Sequence, residues 1–464
     1  MSIVVILFSL ALLIFVAYRG YNVILFAPIA ALAAVLLTQP YLVMPLYGTV
    51  FMDRMVNFVK LFFPVFVLSA VFGNLTAASG MAGSIAQAVI KLFGAKNAIP
   101  AIVVVGGILT YGGVSLFVVA FCLYPFAADL FRSAAIPKRL IPATIALGAF
   151  TFTMDAFPGS PQIQNIIPTS FFHTDTWAAP WLGFCGGIFI FAMGVLYLQW
   201  QKRRAARRRE GYGINHINEP EAFENEQLPS VFISFAPLVL VMVFNKLFTT
   251  MIRERYEKGV DFSLFGFDGI PSADLSPFIA VWGASCALII GITAILIFRF
   301  RQVKANVKNT LNMAVGGAVL AAVNTASEYG FGAVIASLPG FKAVREGLAN
   351  AFGNPLVNEA ATVTMLAGIT GSASGGLSIA LASMKDNFIA QASQHGIPNE
   401  VLHRVASMAS GGMDTLPHNG SILTLLIISG LTHRQSYKDI FAITLFKVAG
   451  AFFIIFLYYF FGIV

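Results

Sequence analysis

Apolar residues fill long stretches of this chain in a pattern that neither alternates nor breaks at short intervals. Ile3 to Val16, Ala284 to Phe298 and Phe441 to Val464 are examples. A strand of an outer-membrane barrel alternates apolar and polar residues over about ten positions, so a barrel is excluded. The runs predict membrane-spanning helices near residues 3–18, 21–38 and 57–79, then a denser block from 98 to 200. A polar stretch, 201–229, follows. Beyond it the pattern gives spans near 230–250, 276–298 and 309–337, a second dense block from 352 to 430, and a last span near 438–463.

Composition sharpens this picture. Of 464 residues, 58% are hydrophobic and 11% charged, against about 25% charged in a soluble domain. A bilayer core takes about 20 apolar residues per helix, and the apolar supply suffices for about ten to twelve spans. The fold class is therefore an all-α polytopic membrane protein. A net charge of +8 reflects the cationic loops of such proteins, and nucleic acid is excluded as a partner. Cys122, Cys185 and Cys286 form no C-x-x-C pair, so neither a disulfide framework nor a metal site is expected. Met1 to Val16 has no basic segment before its apolar run and is read as an uncleaved first span.

The two halves repeat each other. Gly73-Asn74-Leu75-Thr76-Ala77-Ala78-Ser79-Gly80 precedes Val323-Asn324-Thr325-Ala326-Ser327-Glu328-Tyr329-Gly330 by 250 positions. Gly112-Gly113-Val114-Ser115 precedes Gly375-Gly376-Leu377-Ser378 by 263, Ile136-Pro137 precedes Ile397-Pro398 by 261, and Met154-Asp155-Ala156-Phe157-Pro158 precedes Met413-Asp414-Thr415-Leu416-Pro417 by 259. Four matches in one order indicate a duplication. The first half is residues 1–200, the second 230–464, with 201–229 as a cytoplasmic linker.

Charge sets the relative orientation. The linker opens with six cations between Lys202 and Arg209, which belong in the cytoplasm. Counting spans outward, with 98–131 and 355–390 as hairpins that enter and return, places 18 of the 29 Lys and Arg on that side. The first hairpin then enters from the cytoplasm and the second from outside, so the repeats are inverted and both termini lie outside.

Inverted repeats with interrupted helices are how many secondary carriers build a site at mid-membrane. Each hairpin has a small, polar tip, with Gly112, Gly113 and Ser115 in one and Ser374, Gly375, Gly376 and Ser378 in the other. Each half also holds a helix, 140–170 and 401–430, broken by Pro158 and Pro161 or by Pro417 and Gly420. Broken helices expose N–H groups that attract anions. A lone Gly-Gly-x-Ser is more often a helix packing contact, but its recurrence beside a recurring break favours a binding site. Valine at Gly113 or Gly376 is then expected to remove binding and leave folding intact. Asp155 and Asp414 are read either as caps of the half-helices or as coupling groups. Glu328 has no acidic counterpart, since Ala78 stands at its position in the first half, and an unpaired acid in an apolar span points to a proton-linked role. Glu359 is read near the outer mouth of the second hairpin, where a solvated role is equally expected. His418 is the one histidine inside a broken-helix motif.

Gly113-Val114-Ser115-Leu116-Phe117, Ala135 to Ala146, Phe152 to Gln162 and Gly411 to Gly420 resemble the gluconate permease (GntP) family of the ion transporter superfamily, over nearly the whole chain except 201–229. The resemblance implies the inverted-repeat architecture and cation-coupled uptake of small organic anions, usually with protons, across a bacterial inner membrane. Members carry gluconate, related sugar acids, D-serine and 3-hydroxybutyrate. The resemblance also implies that Ser115, Thr151, Thr153, Gly159, Ser160, Gln162, Ser374, Ser378, Asn419 and Ser421 line the site.

No Arg or Lys lies in the two hairpin tips or at the two helix breaks. A carboxylate would be held by half-helix N-termini, hairpin amides and hydroxyls, which suits a monocarboxylate. The branch most resembled is that of hydroxybutyrate permeases, and the Phe, Met and Ala around the motifs fit a substrate poorer in hydroxyls than gluconate. A 3-hydroxybutyrate-like acid is the first expectation and a sugar acid the second. Expected partners are this anion and the lipid bilayer, with a homodimer held open; no cofactor is expected beyond a coupling cation, taken as H+. An enzyme is not expected, since neither H-E-x-x-H nor G-x-S-x-G occurs. A passive small-acid channel is the other class kept open.

Overall fold

The computed structural model describes all residues except 1, 20, 95–96, 215–216, 221–227, 257–258, 261–274, 305, 342–346, 348–351 and 418. Two short helices, α1 (Ser2–Tyr18) and α2 (Val23–Thr38), lead into α3 (Pro40–Ala78). The helix α3 is much longer than the span predicted at 57–79. The exposed pair Asp53 and Arg54 interrupts the apolar pattern without interrupting the backbone hydrogen bonds. Gly80, with φ +78°, ends it in the left-handed conformation a glycine adopts without strain. An amphipathic helix that the hydropathy pattern does not announce, α4 (Met81–Phe93), follows at once.

Next come a helix pair, α5 (Ala98–Tyr111) and α6 (Leu116–Ser133), two short helices, α7 (Ile141–Ala149) and α8 (Ile163–Phe172), and the long α9 (Pro180–Arg207). The second half has α10 (Val231–Tyr256), α11 (Ile279–Lys304) and α12 (Val307–Ser337), then a pair α13 (Pro355–Thr370) and α14 (Ala373–Gln394). It closes with the short α15 (Asn399–Gly411) and α16 (Gly420–Ser429) and the long α17 (His433–Phe461). Among the described residues six helices are long and apolar enough to cross a membrane: α3, α9, α10, α11 with its preceding turn, α12 and α17.

Packing joins the halves like with like. The helix α3 lies along α12 and α9 along α17, while the short helix α8 crosses α15; within the second half α10 lies along α11. The ends of α5–α8 and α13–α16 therefore meet inside a frame of long helices.

The helix α9 runs through most of the arginine run, so the boundary read at residue 200 falls inside a helix. Buried Gln201 donates to Asp439 on α17 at 2.7 Å. The following segment folds back as a strap. Fully buried Lys138 donates to Ile217 O at 2.8 Å and pairs with Glu219 at 2.7 Å, and Arg132 also pairs with Glu219. Asn218 accepts from Tyr124 and donates to Ile427 O, tying α6 to the end of α16. Burial raises the Glu219 carboxyl, but Lys138 and Arg132 pull it further down, below the ordinary glutamate value.

Candidate functional site

The first break follows from Pro158-Gly159-Ser160-Pro161. The prolines donate no backbone hydrogen bond, and Gly159 takes φ +78°. Backbone carbonyls freed here are met by side chains, as a buried break requires. Thr153 Oγ1 donates to Gly148 O at 2.9 Å, Ser160 Oγ to Thr153 O at 2.8 Å, and Tyr111 to Pro158 O at 2.7 Å. Gln162 Nε2 donates to Thr110 O at 2.7 Å and to Val114 O, so this break holds the tip of the first helix pair.

Two buried cations converge on the same break from the second half. The Arg404 guanidinium on α15 donates to Asp155 O at 2.9 Å, Ala178 O at 2.7 Å and Asn165 Oδ1 at 3.0 Å. The Lys447 ammonium on α17 forms an ion pair with the Asp155 carboxylate, and both side chains are fully buried. Gly411 permits this, because a β-carbon there would overlap that carboxylate. His403 bridges Thr174 and Asn165 at 2.7 and 3.2 Å.

At the second break, Asp414 Oδ1 accepts from Ala373 N at 3.0 Å and Asn419 Nδ2 at 3.1 Å, and its Oδ2 accepts from Gln164 Nε2 at 2.8 Å. One carboxylate thus joins the start of α14, its own break and the first broken helix. Asn419 also donates to Gly371 O at 2.8 Å and caps α16 by accepting from Ser421 N at 2.7 Å.

The tip of the second pair turns at Gly371, φ +68°, and restarts at Ser372, whose hydroxyl accepts from Gly375 N at 3.1 Å. Ser374 Oγ lies 3.4 Å from Ser372 Oγ and 3.5 Å from Thr325 Oγ1 of α12. One turn along α12, Glu328 presses its carboxylate against Gly375 so closely that any β-carbon would collide with it. Glu328 is buried, and its Oε2 has no hydrogen-bond partner among the described residues.

The structure gathers Ser374, Gly375, Glu328, Asp414 and Asn419 into one polar cluster and links it through Gln164 to the first break. Gln162, Thr153 and Ser160 hold that break, with Thr151 buried beside them. Other predicted residues face packing. Gly112 abuts Leu238, Gly159 abuts Trp177, and Gly376 meets the backbone of Ala367. A β-carbon added at Gly113, φ +97°, would lie 3.2 Å from the side chains of Leu288 and Pro161. Ser378 bonds within its own helix, to Ser374 O at 2.7 Å, Ser421 stands at the capped start of α16, and Ser115 starts α6. His418 lies outside the described residues.

Three expectations are corrected. Neither Asp155 nor Asp414 caps the half-helix that follows it, because Lys447 engages the first, and Ala373, Asn419 and Gln164 engage the second. Glu359 is not solvated but completely buried. The absence of Arg and Lys from the tips and breaks does not leave the site without cations, since Lys447 and Arg404 reach the first break from elsewhere. Intramembrane charges are costly and mark functional or paired positions, and that signal was present at Lys447 inside the apolar run from Phe441.

Two surface cavities of about 370 and 430 Å³ are lined by Ile297–Gln302 and by α9–α17 residues such as Ile188 and Phe453, and neither includes a tip or break residue.

The model of GntP family permeases matches residues 1–338. An uncharacterized transporter, YxjC, of Bacillus subtilis strain 168 is 53% identical over 472 residues, covering all of both chains. A crystal structure of the Alcanivorax borkumensis YdaH transporter, described as having an unusual topology, aligns with a TM-score of 0.48 at 15% identity, covering 89% of this chain and 88% of that one.

Proposed function

We propose, for a chain that belongs to the GntP permease family and is by that membership a multi-pass membrane transporter, proton-coupled uptake of a small organic monocarboxylate. The carrier would lie in a bacterial inner membrane, its halves inverted and its strap cytoplasmic. The observation that carries the reading is Glu328, an acid wedged against the hydroxyl-lined tip of the second helix pair with one oxygen unpartnered. Protonated when the site faces the more acidic side, Glu328 lets an anion settle beside it; deprotonated on the other side, it repels that anion.

A monocarboxylate is supported by the allocation of charge. Lys447 is committed to Asp155, and Arg404 to carbonyls and Asn165. Among the described residues this leaves hydroxyls and amides, not a free cation, for a second carboxylate. The best reading is a 3-hydroxybutyrate-like acid. A second, gluconate or another sugar acid, is favoured by the three hydroxyls of Ser372, Ser374 and Thr325.

Glu328→Gln keeps the shape and hydrogen bonding of the side chain but cannot titrate. In proteoliposomes the variant is expected to exchange labelled for unlabelled substrate at near wild-type rate and to lose pH-driven accumulation. A variant that still concentrates substrate in response to an imposed pH gradient would remove Glu328 as the proton site.

A further inference from the structure

Glu359 stands near the start of α13, a helix capped by Asn354, which accepts from Val357 N at 3.1 Å. It is completely buried, and neither carboxylate oxygen has a hydrogen-bond partner among the described residues. Thr362, three residues on and so on the same side of the helix, is equally buried, with its hydroxyl equally unpartnered.

The elements packed on α13 are α14, α15, α17, the turn 412–415 and α1. Their charged groups are otherwise engaged or unpaired with Glu359. Arg404 serves the first break, Lys447 serves Asp155, Asp414 has three donors, and Asp439 is held by Arg139. His403 bridges Thr174 and Asn165. Lys385, Asp386, Glu400, Arg434 and Lys438 are exposed or half-buried and make no ion pair with it. The sequence of α1 contains no charged residue.

An ionised carboxylate with no hydrogen-bond donor is among the costliest groups a protein can bury, so Glu359 holds a cation. A hard metal ion takes about six oxygen ligands. The unpartnered oxygen on the same side of the helix as Glu359 is the single hydroxyl of Thr362, and the described residues contain no cluster of three or more His, Cys, Asp or Glu. A proton needs no such shell.

We propose that Glu359 carries a second coupling proton beside the one on Glu328, so that each monoanion crosses with two protons. The proposal rests on the proton-coupled reading above. It also follows an asymmetry of the two helix pairs. Glu328 bears on α14 and Glu359 sits on α13, whereas the sole acid of the first pair, Asp129, is exposed. Two protons with one monoanion move one net positive charge per cycle, while one proton with one monoanion moves none.

The test uses proteoliposomes with labelled 3-hydroxybutyrate, or gluconate where that is the acid taken up. With equal pH on both sides, an inside-negative potassium diffusion potential is expected to accelerate wild-type uptake. In Glu359→Gln the Glu328 proton still governs entry of the anion, so a pH gradient should drive uptake but the potential should have no effect; in Glu328→Gln the anion settles without any proton, so both responses should be lost. Infrared spectra at neutral pH, which need no substrate, should show one protonated-carboxyl band lost in Glu359→Gln and a different one lost in Glu328→Gln. Wild-type uptake that is pH-driven but indifferent to potential would overturn the second proton and leave the proton-coupled reading standing. So would a spectrum unchanged by Glu359→Gln. Wild-type uptake that ignores a pH gradient would overturn both. The wild-type voltage response requires no variant, so a misfolded Glu359→Gln does not prevent a decision.

Discussion

Replacing Lys447 by Met is expected to destabilise the protein by about 3–5 kcal/mol, the usual consequence of removing one partner of a buried ion pair. Asp155 would be left ionised, fully buried and pressed against Gly411, with no other cation paired to it among the described residues. Asp155→Asn should do comparable harm by stranding the ammonium. The double variant Asp155→Asn/Lys447→Met removes both charges and should recover most of the loss, because a neutral pair of similar volume need not be worse than the ion pair it replaces. Thermal unfolding of the purified protein in detergent measures all three. Additive single effects, with no recovery in the double variant, would show that the two residues do not act on each other.

Gly376→Val should abolish the folded protein. A β-carbon at Gly376 would overlap the backbone N and Cα of Ala367 in the facing arm, and backbone cannot swing aside as a side chain can. The expectation that valine here removes binding alone is thereby corrected: this glycine lets α13 and α14 touch. Gly113 differs in kind, since a β-carbon there would meet side chains at 3.2 Å and its φ of +97° is the main obstacle. Gly420→Ala, which meets nothing within 4 Å, is the control. Size-exclusion profiles should show no monodisperse Gly376→Val and a normal Gly420→Ala. A well-folded Gly376→Val would mean that the arms are not in contact.

Much of the architecture is written locally. Pro158-Gly159-Ser160-Pro161 cannot continue a helix, Gly371 must turn, and apolar runs must be covered by lipid or by each other. These are short-range rules, and each shows in a few consecutive letters. What could not be read is who meets whom. Lys447 lies 292 residues from Asp155, and Gln164 lies 250 from Asp414; no local pattern carries such a pairing. For Asp155 and Asp414 the sequence leaves a cap and a coupling role equally open, because each stands just before a break; tertiary partners claim both and exclude the cap. A solvated role stood as one of two open readings of Glu359 because it falls near the outer mouth of its hairpin, and packing buries it. The amphipathic α4 escaped because a half-polar helix is not a hydropathy peak.

Active transport by wild-type protein is the claim on which the rest depends, and uphill accumulation measures it most directly. Proteoliposomes with an alkaline interior in an acidic medium should concentrate a labelled small monocarboxylate well above its external level, and an uncoupler should release it. Entry that stops at equal concentrations, unaffected by the gradient or the uncoupler, would identify a passive channel and contradict a proton-coupled carrier.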